Sequence, residues 1–121
     1  MSAGGEELPP SVRQQVARFQ QLQQTLNAIL VEKQRLEVEL VELKDALEEL
    51  RKSPDDVLVY KAVGPVLVQT SKQKLLEELG EKKELAETRL RLLEKQEQRA
   101  REQLENLQKE LKQILSGKGA G

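Results

Sequence analysis

The stretch Val57-Leu58-Val59-Tyr60-Lys61-Ala62-Val63-Gly64-Pro65-Val66-Leu67-Val68-Gln69-Thr70 decides the fold. It alone has strand character: β-branched and aromatic residues dominate it, and Pro54-Asp55-Asp56 marks its start. Gly64 supplies a positive φ near the middle, so the stretch predicts a β-hairpin. Pro65 leaves the turn type open, because proline lacks an N–H for the ladder and restricts the residue before it. Alternation places Val57, Val59 and Val63 on one face, and Leu58, Tyr60 and Ala62 on the other. A lone two-stranded hairpin is marginal in water, and nothing else in the chain is suited to cover two apolar faces. The expectation is that other chains cover them. Val57, Leu58, Val59, Tyr60, Val63, Gly64, Val66, Leu67 and Val68 then form an assembly element.

On either side of the hairpin lies a long segment with heptad patterning. In the first, Val12, Phe19, Leu26, Leu40 and Leu47 fall at a positions, with Lys33 interrupting, and Leu22, Ile29, Leu36, Leu43 and Leu50 fall at d. In the second, Leu79, Ala86, Leu93, Ala100, Leu107 and Ile114 form the d series. Leu76, Leu90, Leu104 and Leu111 form its a series, interrupted by Lys83 and Glu97. Ser11 with Gln14 and Thr70 with Gln73 read as capping boxes that open the two helices. Gly80 weakens the second helix near the hairpin, where a bend or a tight approach would be of use. The predicted organisation is a tail over 1–10, a coiled-coil helix over 11–52, the hairpin element over 53–71, a second helix over 72–115 and a tail over 116–121. A hairpin connection makes the helices antiparallel. Pairing every a with a d sets Leu50 against Leu76, Leu47 against Leu79, Leu40 against Ala86, Leu26 against Ala100 and Val12 against Ile114. Large residues then face the two seam alanines, and Lys33 and Glu97 fall in adjacent layers, where they can pair or snorkel as surface charges. The fold class is mainly α: a long antiparallel two-helix coiled coil joined by a central β-hairpin.

Composition agrees with that reading. Of 121 residues, 34% are charged and 2% aromatic, the make-up of long helices and not of a globular core. The net charge is −1 with both signs interspersed, so no basic field exists to collect nucleic acid or an anionic membrane. The second helix carries 11 Lys/Arg against 10 Glu, which argues against a nucleic-acid-binding arm. No run approaches transmembrane length and no signal-peptide core is expected at the start. The chain has no cysteine, which excludes disulfides and suits a cytoplasmic protein.

At the open end of the helical hairpin the seam pattern slips. The expected d position holds Gln15, with Val16 beside it, so Val12, Val16 and Phe19 form a stripe rotated off the seam. Leu107, Leu111, Ile114 and Leu115 do the same on the returning helix. These residues are either a gripping surface for something apolar or ordinary seam that keeps the ends zipped. The Gln-rich run from Gln14 to Gln24 reads as a solvated face.

The search for chemistry is short. The chain has no histidine and no cysteine, and no phosphate loop, metal-ligand spacing or nucleophile–base pair is present, so no metal, cofactor or enzymatic activity is expected. Asp55-Asp56 reads as a turn and Tyr60 as an interface residue, not as catalytic groups. Lys72-Gln73-Lys74 and Lys82-Lys83 read as charges balanced by Glu77, Glu78, Glu81 and Glu84.

Three motifs carry a resemblance: Leu8-Pro9-Pro10-Ser11-Val12-Arg13-Gln14-Gln15, Pro54-Asp55-Asp56-Val57-Leu58-Val59-Tyr60-Lys61-Ala62-Val63-Gly64 and Leu92-Leu93-Glu94-Lys95-Gln96-Glu97. In these the chain resembles a β-class prefoldin (GimC) subunit of the archaeal kind, with Pro65 the one departure. The resemblance implies a hexamer of two α-class and four β-class subunits whose hairpins join into an intersubunit β-barrel. It further implies ATP-independent holding of unfolded clients at the coil tips, handover to a group II chaperonin, and an archaeal or eukaryotic source. With it in view, Val12, Val16, Phe19, Leu107, Leu111, Ile114 and Leu115 become the expected client contacts. The alternative is a structural coiled-coil adaptor whose tip binds one defined protein partner.

Overall fold

The structure, a computed structural model, describes residues 8–117. The element order is α1 (Pro10–Lys52), β1 (Val59–Val63), β2 (Val66–Thr70) and α2 (Lys72–Leu115). Of the expected tails, residues 1–7 and 118–121 lie outside the described residues.

The helix ends differ from the capping boxes by one or two residues each. In α1 the Arg13 N–H donates to the Pro9 carbonyl at 2.9 Å, so the helix opens at Pro10 and Ser11 lies inside its first turn. Proline suits the first helical position because its φ is already set and its missing N–H would find no partner there. In α2 Thr70 ends the strand, and Ser71 is the N-cap. Its Oγ accepts from the Lys74 N–H at 3.1 Å, and its carbonyl accepts from the Leu75 N–H at 3.0 Å. At the far end of α2 the Gly117 N–H reaches the Ile114 carbonyl at 3.2 Å with φ +82°, the left-handed residue that closes many helices. Helix α2 runs unbroken through Gly80, where an added Cβ would meet nothing within 4 Å. A tight approach therefore does not explain that glycine.

Between the helices the chain first turns at Asp55-Asp56, closed by the Val57 N–H on the Pro54 carbonyl at 3.1 Å. Val57 and Leu58 thus precede the sheet, and β1 starts at Val59, two residues later than the sequence pattern suggests. β1 and β2 pair antiparallel, with Val59 opposite Thr70, Tyr60 opposite Gln69, Lys61 opposite Val68, Ala62 opposite Leu67 and Val63 opposite Val66. That register leaves Gly64-Pro65 as a two-residue turn. Gly64 has φ +58°, and proline holds φ near −65°. This is the type II′ combination, whose twist matches that of the strands, and it accommodates Pro65 where no ladder N–H is required.

The chain divides into two compact units, Met1–Glu32 with Leu93–Gly121, and Lys33–Leu92. In the second, Leu36, Leu40, Leu43, Leu47 and Leu50 of α1 and Ala86 of α2 are buried. Leu36 and Leu43 flank Ala86 in one groove, as they must if Ala86 faces Leu40. In the first unit Val12, Leu22 and Ile29 are buried with Leu93 and Ala100. There Leu22 and Ile29 flank Ala100, which places Ala100 against Leu26. Every buried apolar residue thus sits at an a or d position of the heptads. Burial is deeper on α1, since the a residues Leu76, Leu90, Leu104 and Leu111 of α2 are only half-buried. Glu97 accepts from Arg101 Nε at 2.8 Å, one turn along its own helix.

Candidate functional site

Two surfaces depart from the polar exterior that a solvated coiled coil presents. The first is the hairpin, in the Lys33–Leu92 unit. Leu67 is 73% exposed and Tyr60 54%, on the face that also carries Ala62 and Gln69, and Leu58, just before the sheet, is 66% exposed. On the opposite face the chain does supply some cover, which corrects the expectation that none exists. Lys61 Nζ donates to both carboxylate oxygens of Glu78, at 3.0 and 3.1 Å. Val59, Lys61 and Thr70 are half-buried there. Nearer the turn, Val63, Val66 and Val68 of that same face stay exposed. Both outer edges of the two-stranded sheet lack a neighbouring strand among the described residues.

The root of the hairpin is fastened by Lys72, the first residue of α2. Its ammonium donates to the Ser53 carbonyl at 2.6 Å and approaches the Arg51 carbonyl at 3.5 Å and Asp55 Oδ1 at 3.4 Å. Those carbonyls lie at the C-terminus of α1, where the helix leaves acceptors unpaired and favours a cation. The Lys72 side chain is only 11% exposed. The sequence reading treats this lysine as a solvated charge; an interaction across 19 residues has no periodic signature that could reveal it.

The second surface lies in the other unit, at the helix ends. Phe19, Leu111 and Leu115 line a shallow groove of about 500 Å³ together with Gln108, Lys112 and Ser116. Three of the seven expected client-contact residues thus come together there. Leu115 is 66% exposed and Ile114 is also exposed, whereas Val16 and Leu107 are half-buried. Val12, at 4% exposure, belongs to the seam and offers no surface while the helix ends stay paired. Gln15 occupies the slipped d position. Its Nε2 reaches Glu110 Oε2 at 3.5 Å, but its Oε1 is buried without a partner. The polar rim of the groove, Gln108, Lys112 and Ser116, escapes a reading confined to apolar residues.

Exposed apolar side chains also occur off the seam. Val31 lies in the first unit, and Val38, Val41, Leu85 and Leu92 lie in the second. Their signal in the sequence is an apolar residue at an outer heptad position. Among the described residues, no group of three or more His, Cys, Asp or Glu is placed to hold a metal, and no helix is long and apolar enough to cross a membrane.

Comparison with known proteins identifies this arrangement of a hairpin between two long helices. The family model described as prefoldin subunit matches residues 13–118. The chain belongs to the prefoldin family. It is 44% identical to the prefoldin subunit beta of Archaeoglobus fulgidus over 110 residues, covering 91% of this chain and 95% of that one. It is 45% identical to the prefoldin subunit beta of Saccharolobus islandicus, covering 92% and 88% of the two chains. The crystal structure of the prefoldin beta subunit from Thermococcus strain KS-1 superposes with a TM-score of 0.79 at 39% identity, covering 90% of this chain and 96% of that one. Prefoldin membership carries a chaperone role, not an enzymatic one, and assembly with other prefoldin subunits.

Proposed function

We propose that this chain is the β-class subunit of a hetero-hexamer of two α-class and four β-class prefoldin subunits, acting in the cytoplasm. The complex holds unfolded polypeptides without ATP and passes them to a group II chaperonin. In this reading the hairpins join into an intersubunit β-barrel and the coil tips contact the client. The observation that carries it is the hairpin itself: Tyr60 and Leu67 are largely exposed on a sheet that no further strand borders among the described residues, and Leu58 is exposed just before it. Such a surface calls for additional strands.

The tip groove supports the client reading by its shape. A shallow apolar groove with a polar rim suits many chains better than one defined partner, which favours a holder over an adaptor. A Phe or Leu side chain gains about 1.5–3 kcal/mol on full burial, and a shallow groove realises only part of that. One tip therefore binds weakly. Several tips around one cavity gain by effective concentration while each contact stays easy to break.

Two measurements test the reading. Mixing with an α-class subunit should raise the native mass to that of a hexamer. Phe19→Ala combined with Ile114→Ala should weaken suppression of client aggregation at unchanged native mass. Full holding activity in that double variant removes the tips from the mechanism.

A further inference from the structure

We infer that the Lys61–Glu78 pair divides the labour between the two hairpin faces. It turns the root of one face onto the chain's own α2, so that a sister subunit's hairpin covers the other face, that of Tyr60, Ala62, Leu67 and Gln69. The inference rests on the assembly reading above and makes it more specific.

The geometry is asymmetric in a way that the sequence is not. Both faces of the hairpin carry apolar residues, so alternation alone gives no reason to bury one rather than the other. Lys61 breaks the tie. It is the only charged residue in either strand, and it projects from the same face as Val59, Val63, Val66, Val68 and Thr70. Were that face packed inside an intersubunit barrel, the ammonium would enter with it and lose its hydration. On α2 it instead meets a carboxylate that accepts it through both oxygens and remains within reach of water. The opposite face contains no charged group and is the most exposed apolar surface of the hairpin. Its occupant should be another strand pair: the open edges present unpaired backbone donors and acceptors, which a helix or an irregular peptide satisfies poorly. Lys61 is thus a positioning residue for assembly, and Glu78 is its anchor.

The chain contains no cysteine, so single introduced thiols report on each face without background. In the uncombined chain, Val59→Cys should react with a small alkylating reagent about tenfold faster when Lys61→Glu is added, because charge reversal replaces an attraction by a repulsion of similar size. Adding Glu78→Lys should restore the slow rate, and the milder Lys61→Gln should give about a threefold effect. Equal rates in all of these variants overturn the clamp, whatever happens on assembly. On mixing with an α-class subunit, Gln69→Cys should become protected while Val68→Cys, across the sheet from Lys61, stays reactive. Protection of Val68→Cys, alone or together with Gln69→Cys, overturns the face assignment. Lys61→Glu should also shift the assembly midpoint to about tenfold higher concentration, with recovery in the swapped pair. Loss of thermal stability without that shift marks a merely structural salt bridge and refutes the positioning role. A wild-type chain that forms no complex at all defeats the assembly reading and the face assignment with it, but leaves the alkylation result on the clamp standing.

Discussion

Replacing Lys72 by methionine keeps the apolar stem and removes the ammonium that ties the start of α2 to the end of α1. Two of its three contacts are carbonyls of the α1 terminus, and the one to Ser53 is short at 2.6 Å. A hydrogen bond to a charged group contributes about 1.5–3 kcal/mol, and a cation at a helix C-terminus about 0.3–1 kcal/mol. The Asp55 contact adds nothing to count, because that carboxylate is fully exposed. Water can reach part of the vacated site, so the expected loss is about 2 kcal/mol, or roughly 8 °C in Tm for a chain of this size. The assay is thermal unfolding followed by far-UV circular dichroism at fixed protomer concentration, since assembly makes Tm concentration-dependent. Lys52→Met is the control. Lys52 pairs with Glu48 at 3.1 Å one turn back, but both side chains are well exposed. Such a pair contributes about 0.3–0.5 kcal/mol. If Lys72→Met costs no more than Lys52→Met, the argument from burial at the helix terminus is wrong.

Two glycines should respond to alanine with opposite signs. Gly80→Ala should stabilise the chain by about 1 kcal/mol, because the helix is continuous there and the methyl group meets open space. Gly64→Ala should cost about 1 kcal/mol or more, because φ is +58° in the turn, and parallel denaturant titrations would expose a wrong sign for either. Gln15→Leu should stabilise the helix ends by about 1 kcal/mol by removing the unpartnered buried oxygen. Slower hydrogen exchange in the first turns of α1 is the expected result; unchanged or faster exchange contradicts it.

The sequence made the helices and their seam legible because seven-residue spacing is a repeated signal. Each of the eight buried apolar residues of α1, from Val12 to Leu50, occupies a position that the spacing marks. The hairpin was legible from its β-branched composition and Gly64. What stayed hidden depends on single contacts. Ser11 and Thr70 are good capping residues, yet Pro9 and Ser71 hold those places, because the choice turns on where the backbone leaves helical geometry. Lys61–Glu78 and Lys72–Ser53 join residues 17 and 19 apart with no period to betray them. At the tip the pattern gathered seven apolar residues but did not separate Val12, which the seam consumes, from Leu115, which it leaves outside.

The sheet with two vacant borders has a consequence for stoichiometry. A strand pair docked along β1 or β2 satisfies one border and brings a vacant one of its own, so each addition passes the vacancy outward. Such a strip has only two fates: it keeps lengthening, as fibres do, or it curls until its first and last members meet. Strand twist accumulates with every added pair and bends the strip toward the second fate. If sister hairpins join in this way, the curvature of the strip, to which each such chain gives ten strand residues, helps to set how many strand pairs close the ring.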